Sequence, residues 1–188
     1  MDALPNPLHP ALVHFPIVLI LLGAGVSAVS VFLNRWHLPW CAAVLLGMGS
    51  IGAYVAAEAG EDAAEQAVEL TDSLTPAAES LLHTHQRWAG RTETASLAAA
   101  ALAVAAAALG GLLPPRNTGA SAEPPPGGDT PDPRPKLACG LRALTALTAL
   151  LACYFLLQTG HAGGRLVYDH GVGVRQFQGP GGIPAPLN

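Results

Sequence analysis

The chain has 188 residues, of which 51% are hydrophobic and only 12% are charged, and its formal net charge is −4. Soluble domains carry roughly 25% charged residues, so this composition favours a membrane protein. The nine Lys+Arg, of which a single one is lysine, form no dense basic cluster, and this argues against nucleic acid as a partner. The three cysteines are too few for a disulfide framework, and we expect three free thiols.

Four apolar runs predict four transmembrane helices, near residues 10–33, 40–57, 94–113 and 137–159. The first run contains no charged residue, and at 1.5 Å per residue it crosses a ~30 Å hydrocarbon core. It exceeds the roughly 7–15 apolar residues of a signal peptide, so we expect a retained span. Trp36 and Trp40 suit a membrane interface. Gly47, Gly49 and Gly52 predict close helix packing in the second run.

The segments between the later spans have different compositions. Residues 58–91 contain seven acidic residues among apolar residues at helical spacing, and Asp72 to Pro76 can cap a new helix. We therefore expect an extramembrane helical hairpin here. Residues 114–136 are rich in Pro and Gly, which predicts a disordered loop, and residues 176–188 form an irregular tail. Arg142 is expected to snorkel from the start of the fourth span.

These elements predict a single all-α domain over residues 1–175. It is an integral membrane four-helix bundle with an extramembrane helical segment between spans two and three. Four spans place both termini on one side of the membrane. Five Lys+Arg lie at the opposite side and four at the side of the termini, so the positive-inside rule places both termini outside.

The histidines are grouped by this topology. Six lie at the face of the termini and one, His37, lies at the other; the six are His9, His14, His83, His85, His161 and His170. His14 lies about one turn inside an apolar helix, where an ionisable group is costly without a partner. His83 and His85 are about 200° apart on a helix, and we expect His83 to be exposed. Glycines flank His161 and His170, which permits close approach of a ligand; a helix C-cap at Gly160 with Gly163 and Gly164 is the alternative.

Two end motifs carry a resemblance to a known family. The opening motif is His9-Pro10-Ala-Leu-Val13-His14-Phe15-Pro16-Ile17, and the closing motif is GHAGGRLVYDHGVGV over residues 160–174. They resemble the ends of an uncharacterised bacterial family of small four-span membrane proteins. A third landmark of that family, a histidine before span three that is often followed by Glu, matches His85, which is followed here by Gln86. The resemblance implies the four-span fold and a place in the bacterial inner membrane, and no established activity.

Three functions stay open. The first is haem b binding for electron transfer, because membrane bundles hold haem through histidines of different helices. The ligand candidates are His14, His85, His161 and His170. Arg91 is a candidate counter-ion for the haem propionates. The second is a transition metal (Cu, Zn or Fe) bound by His9, His14, His85 and His161.

The third is a structural or accessory subunit without a cofactor, whose partners are the lipid bilayer and either other membrane subunits or a second copy of the chain. The sequence contains no CxxCH, which excludes covalent c-type haem, and no G-x-S-x-G or P-loop, which disfavours an enzyme. We expect His37 and His83 to play no part in a site.

Overall fold

The computed structural model describes residues 12–33, 35–70, 74–111 and 134–172. Its four α-helices are α1 (His14–Phe32), α2 (His37–Leu70), α3 (Pro76–Gly111) and α4 (Arg134–Tyr168), and the described residues contain no strand. The all-α prediction is confirmed. Each helix contains a stretch that is long and apolar enough to cross a membrane, which supports a multi-pass membrane protein; the stretches are His14–Phe32, His37–Asp62, Pro76–Gly110 and Lys136–Tyr168.

The helices form an up-down-up-down bundle. Helices that are consecutive in the chain pack against each other, and α1 packs against α4 to close the ring. The α3–α4 contact is the most extensive, whereas α1 and α3, like α2 and α4, are diagonal to each other. The core is built mainly from alanine, with larger side chains such as Leu46 and Ile20 at its centre.

Several bounds differ from the sequence prediction. α4 begins at Arg134, inside the segment assigned to a loop, and residues 112–133 lie outside the described residues. α4 also passes through Gly160, Gly163 and Gly164 and ends at Tyr168, so these glycines are not the helix C-cap. The cap is Gly171, which has a φ of 65° and donates its N–H to the carbonyl of Val167 at 3.0 Å. The tail at 176–188 lies outside the described residues.

The start of α3 agrees with the prediction for Asp72 to Pro76. The Ala78 N–H donates to Thr75 Oγ1 at 3.3 Å, so Thr75 caps the helix, and Pro76 occupies its first position, where a missing N–H costs least. The predicted hairpin corresponds to the second half of α2 and the first turns of α3. Residues 71–73, between the two helices, lie outside the described residues.

Arg142 does not snorkel as predicted. It is 8% exposed, and its Nη2 lies 3.6 Å from the place that a Cβ on Gly110 would occupy. The guanidinium thus lies beside the last turn of α3, where the negative end of the helix dipole and the final carbonyls attract a cation.

The antiparallel packing places all the described histidines except His37 at one end of the bundle, as predicted. The start of α1, the second half of α2, the start of α3 and the end of α4 lie at one end of the bundle, which we call the histidine end. It carries His14, His83, His85, His161 and His170, whereas His37 lies at the opposite end and His9 lies outside the described residues.

Candidate functional site: the histidine end

His85 is held in place by a hydrogen bond between two helices. Its Nδ1 lies 2.9 Å from the backbone carbonyl oxygen of Thr159 on α4. A carbonyl can only accept, so Nδ1 carries the proton and donates it. In the neutral imidazole the lone pair is then on Nε2, the usual orientation for a histidine that ligates a metal or haem.

Gly163 allows this contact. A Cβ at position 163 would lie 3.0 Å from His85 Cε1 and 3.2 Å from His85 Nδ1, so the imidazole lies directly against the backbone of α4. Thr159 and Gly163 are four residues apart and share one face of α4. That face therefore combines a hydrogen-bond acceptor with the space that the ring needs.

Two threonines lie just below His85 in the α3–α4 seam. The hydroxyl oxygens of Thr92 and Thr159 are 3.2 Å apart. Thr92 Oγ1 is also 2.9 Å from the carbonyl oxygen of Trp88, and Thr159 Oγ1 is 2.9 Å from that of Phe155. Each hydroxyl has one proton, so when one threonine donates to its own helix the other can donate across the seam. The seam is thus a narrow polar track in an otherwise apolar bundle.

An aromatic cluster continues the seam toward the centre of the bundle. Trp88 packs edge-on against Tyr154, with ring centroids 6.2 Å apart, and at a tilt against Phe155, at 5.7 Å. Tyr154 is 49% exposed, and Tyr54 on α2 is exposed too. Trp36 and Trp40 are exposed at the opposite end, so aromatic side chains flank the apolar exposed surface at both ends, as is typical of membrane proteins.

The other predicted ligands do not face His85 within the α3–α4 seam. His161 is exposed and lies about 200° round α4 from both Thr159 and Gly163, so it points away from α3. It lines an open groove on the outer face of α4 with Gly160, Gly164 and Arg165. His170 follows the last turn of α4 and is exposed.

His14 and Arg91 lie on other faces of the bundle. His14 begins α1 and is exposed, and α1 lies diagonally across the bundle from α3. Arg91 is exposed, and its guanidinium carbon lies 4.5 Å above the Trp88 ring. By helical periodicity Arg91 is about 120° round α3 from His85, on the other side of Trp88. His83 is exposed, as predicted.

Within the described ranges, no three His, Cys, Asp or Glu side chains form a group that could hold a metal ion. The four-histidine metal site stays a prediction, because His9 lies outside these ranges. A haem makes smaller demands on the protein, since its ring supplies four nitrogen ligands and the chain supplies only the axial ones.

Reasoning from the sequence missed the partners of His85. Thr159 and Gly163 are four residues apart and so lie on one helix face. This spacing could have indicated a shared contact surface if residues 160–168 had been predicted as helix. Their pairing with His85 depends on the register between α3 and α4, which cannot be derived from the sequence alone.

Comparison with known proteins yields no relative: no family model, no curated protein and no solved structure matches the chain. The resemblance carried by the two end motifs stays a prediction. The described parts of these motifs, residues 12–17 and 160–172, lie with His85 at the histidine end. Fold and site together define an all-α, multi-pass membrane protein with a histidine-bearing end.

Proposed function

We propose that this membrane protein binds haem b at its histidine end, with His85 as an axial ligand, and serves in electron transfer. The observation that carries the proposal is the bond from His85 Nδ1–H to the carbonyl of Thr159. This bond fixes the ring and the tautomer, and it raises the basicity of Nε2, the atom that would ligate iron.

The proposed second ligand is His14. α1 begins at His14, whereas α2, α3 and α4 continue farther at this end of the bundle. Phe15 and Pro16 pack at the level of Gly52 on α2, and α2 then extends to Leu70. His14 would hold the haem from α1 and His85 would hold it from α3, and both residues lie at the histidine end.

The site chemistry favours haem over a bare metal ion. One or two imidazoles suffice for haem, whereas an ion held by protein alone takes three or four ligands. The described residues offer no such group of three. A transition metal at His9, His14, His85 and His161 remains the alternative, and it predicts stoichiometric metal without a Soret band.

The test is the absorption spectrum of the protein purified in mild detergent, together with metal analysis. We expect Soret and α bands in the reduced-minus-oxidised spectrum. His85→Asn places an amide N–H where Nδ1–H was, so it keeps a donor to the carbonyl of Thr159 and removes the ligand. We expect His85→Asn to lose haem while remaining folded.

The matched control is His83→Asn, because His83 is exposed and lies two residues away on the same helix. It should retain haem fully. A colourless wild-type protein, or full haem in His85→Asn, would contradict the proposal.

A structural role is the second candidate, and the same hydrogen bond favours it. His85 joins α3 to α4, the pair with the most extensive contact. In an accessory subunit this bond would stabilise the bundle and no cofactor would be needed. A colourless, metal-free protein that His85→Ala destabilises and His85→Asn does not would favour this role.

A further inference from the structure

We propose that the outer flank of the α3–α4 seam binds the phosphate of an anionic phospholipid through Arg87 and Arg91. The two arginines are one turn apart on the exposed face of α3. Among the side chains that the structure describes, neither forms an ion pair. Two cations one turn apart on α3 thus have no acidic partner among the described side chains.

Arg91 is positioned by Trp88. Its guanidinium carbon lies 4.5 Å above the indole, and the indole is itself held against Tyr154 and Phe155. Such a stack costs the guanidinium part of its rotamer freedom before any ligand binds, while its N–H groups remain directed sideways. The cation is thus preorganised at the level of the aromatic side chains.

The surface below the arginines is apolar. Toward the centre of the bundle, the flank continues from Tyr154 to Leu151 and Leu147 on α4, all three exposed, and to exposed Ala98 on α3. Cations, aromatic rings and aliphatic side chains follow one another along the helix axis. This order matches the phosphate, the glycerol region and the acyl chain of a phospholipid in a bilayer.

Three acidic residues near this end lie on a different side of α3. Glu93 is about 200° round α3 from Arg91, and it lies close enough to Glu58 and Glu61 on α2 to interact with both carboxylates. These three carboxylates thus lie on the α2–α3 side, whereas the two arginines lie on the α3–α4 flank. This separation permits an anionic lipid to bind to a chain whose net charge is −4.

Native mass spectrometry of the full chain in mild detergent tests the proposal, with phosphatidylglycerol and phosphatidylcholine of identical acyl chains as probes. We expect wild type to retain phosphatidylglycerol in preference to phosphatidylcholine. The double variant Arg87→Gln/Arg91→Gln should bind phosphatidylglycerol roughly 30-fold more weakly. The double variant Arg87→Lys/Arg91→Lys should keep most of the binding, since lysine also binds phosphate.

Arg165→Gln is the matched control. Arg165 is exposed at the same end but pairs with Asp169 at 3.1 Å, so its loss should leave lipid binding unchanged. An equal loss in this variant would show a general charge effect and overturn the proposal, as would equal retention of the two lipids by wild type. Full displacement of phosphatidylglycerol by millimolar inorganic phosphate would also overturn it, because the occupant would then be a soluble anion.

Discussion

Gly163 lets the His85 ring lie against α4. The presence of glycine, a poor helix former, inside α4 is thus explained by the packing of the candidate site. Glycine in a helix interior costs about 1 kcal/mol relative to alanine. At position 163 this cost is offset by a contact that alanine would obstruct. Gly160 and Gly164 occupy the same helix, but a Cβ at either of them would meet nothing within 4 Å.

Gly163→Ala should therefore destabilise the bundle, by about 1 kcal/mol. Overpacking costs typically 1–3 kcal/mol, and the gain in helix propensity returns about 1 kcal/mol of it. The ring cannot shift freely, since its Nδ1 is bonded to the carbonyl of Thr159. Thermal unfolding in detergent measures the effect. Gly160→Ala and Gly164→Ala should be neutral or stabilising; a stabilised Gly163→Ala would contradict the close contact.

At the residue scale the sequence predicted that His83 is exposed, because residues two apart point to opposite sides of a helix. It did not predict the burial of Arg142 or the direction of His161. Arg142 was expected to reach water, but its position relative to the end of α3 becomes known only from the helix register. His161 turns away from α3 because residues 160–168 continue α4 rather than form a loop.

Glycine packing is also what brings α1 and α2 together. A Cβ on Gly49 would lie 2.9 Å from Ile20 Cγ1 and 3.2 Å from the Ile20 backbone nitrogen, and a Cβ on Gly23 would lie 2.8 Å from Leu46 Cγ. Gly52 similarly faces Phe15 and Pro16. The prediction of close packing is thus confirmed for Gly49 and Gly52. It is wrong for Gly47, where a Cβ would meet nothing within 4 Å.

The pair Gly49 and Gly47 provides a test of this helix contact. Gly49→Ala should destabilise the protein by about 1–3 kcal/mol, since the clash involves the backbone of α1 and the helices must separate. Gly47→Ala should be neutral or raise stability by up to about 1 kcal/mol. Unfolding of the two variants in the same detergent gives the difference directly. Equal stability of the two proteins would show that α1 and α2 are not in contact at this level.

At the element scale the number and type of helices could be read from apolar runs, whereas the extent of α4 could not. Sequence rules treat Gly160, Gly163 and Gly164 as a stop signal because glycine disfavours helices in water. In the bundle the helix continues through these glycines to Tyr168, and Gly171 with its positive φ caps it. Gly163 is accommodated in the helix because it contacts His85 on α3, and such a tertiary contact cannot be predicted from local helix propensities.

The arrangement of the whole bundle explains why the cysteines stay apart. Cys41 lies on α2 and Cys139 on α4, which are diagonal helices, and both side chains are exposed. Because these helices are diagonal and both thiols are exposed, the fold does not bring Cys41 and Cys139 together. All three cysteines are free, with Cys153 half-buried on α4.

The fold class and the grouping of the histidines at one end could be predicted from the sequence, because they depend only on the number and direction of the spans.

The outward thiols make the orientation of the whole molecule testable. We propose that both termini lie outside, as the Lys+Arg count suggests, so the histidine end should face the exterior. Cys139 is exposed near the start of α4, less than one turn from Lys136, and reports on the opposite end. His83→Cys, in a chain with Cys41→Ser and Cys139→Ser, places an exposed thiol at the histidine end.

A membrane-impermeant maleimide should label His83→Cys in intact cells. In a second chain that keeps Cys139 and His83 and carries only Cys41→Ser, the maleimide should reach Cys139 only after the membrane is permeabilised. The reverse pattern would overturn the orientation and leave the four-span fold in place. Labelling of both positions from one side would overturn the fold itself, because the start of α3 and the start of α4 would then not be separated by a bilayer. Each outcome contradicts a different claim, so the experiment tests the orientation of the bundle in the membrane separately from the four-span fold.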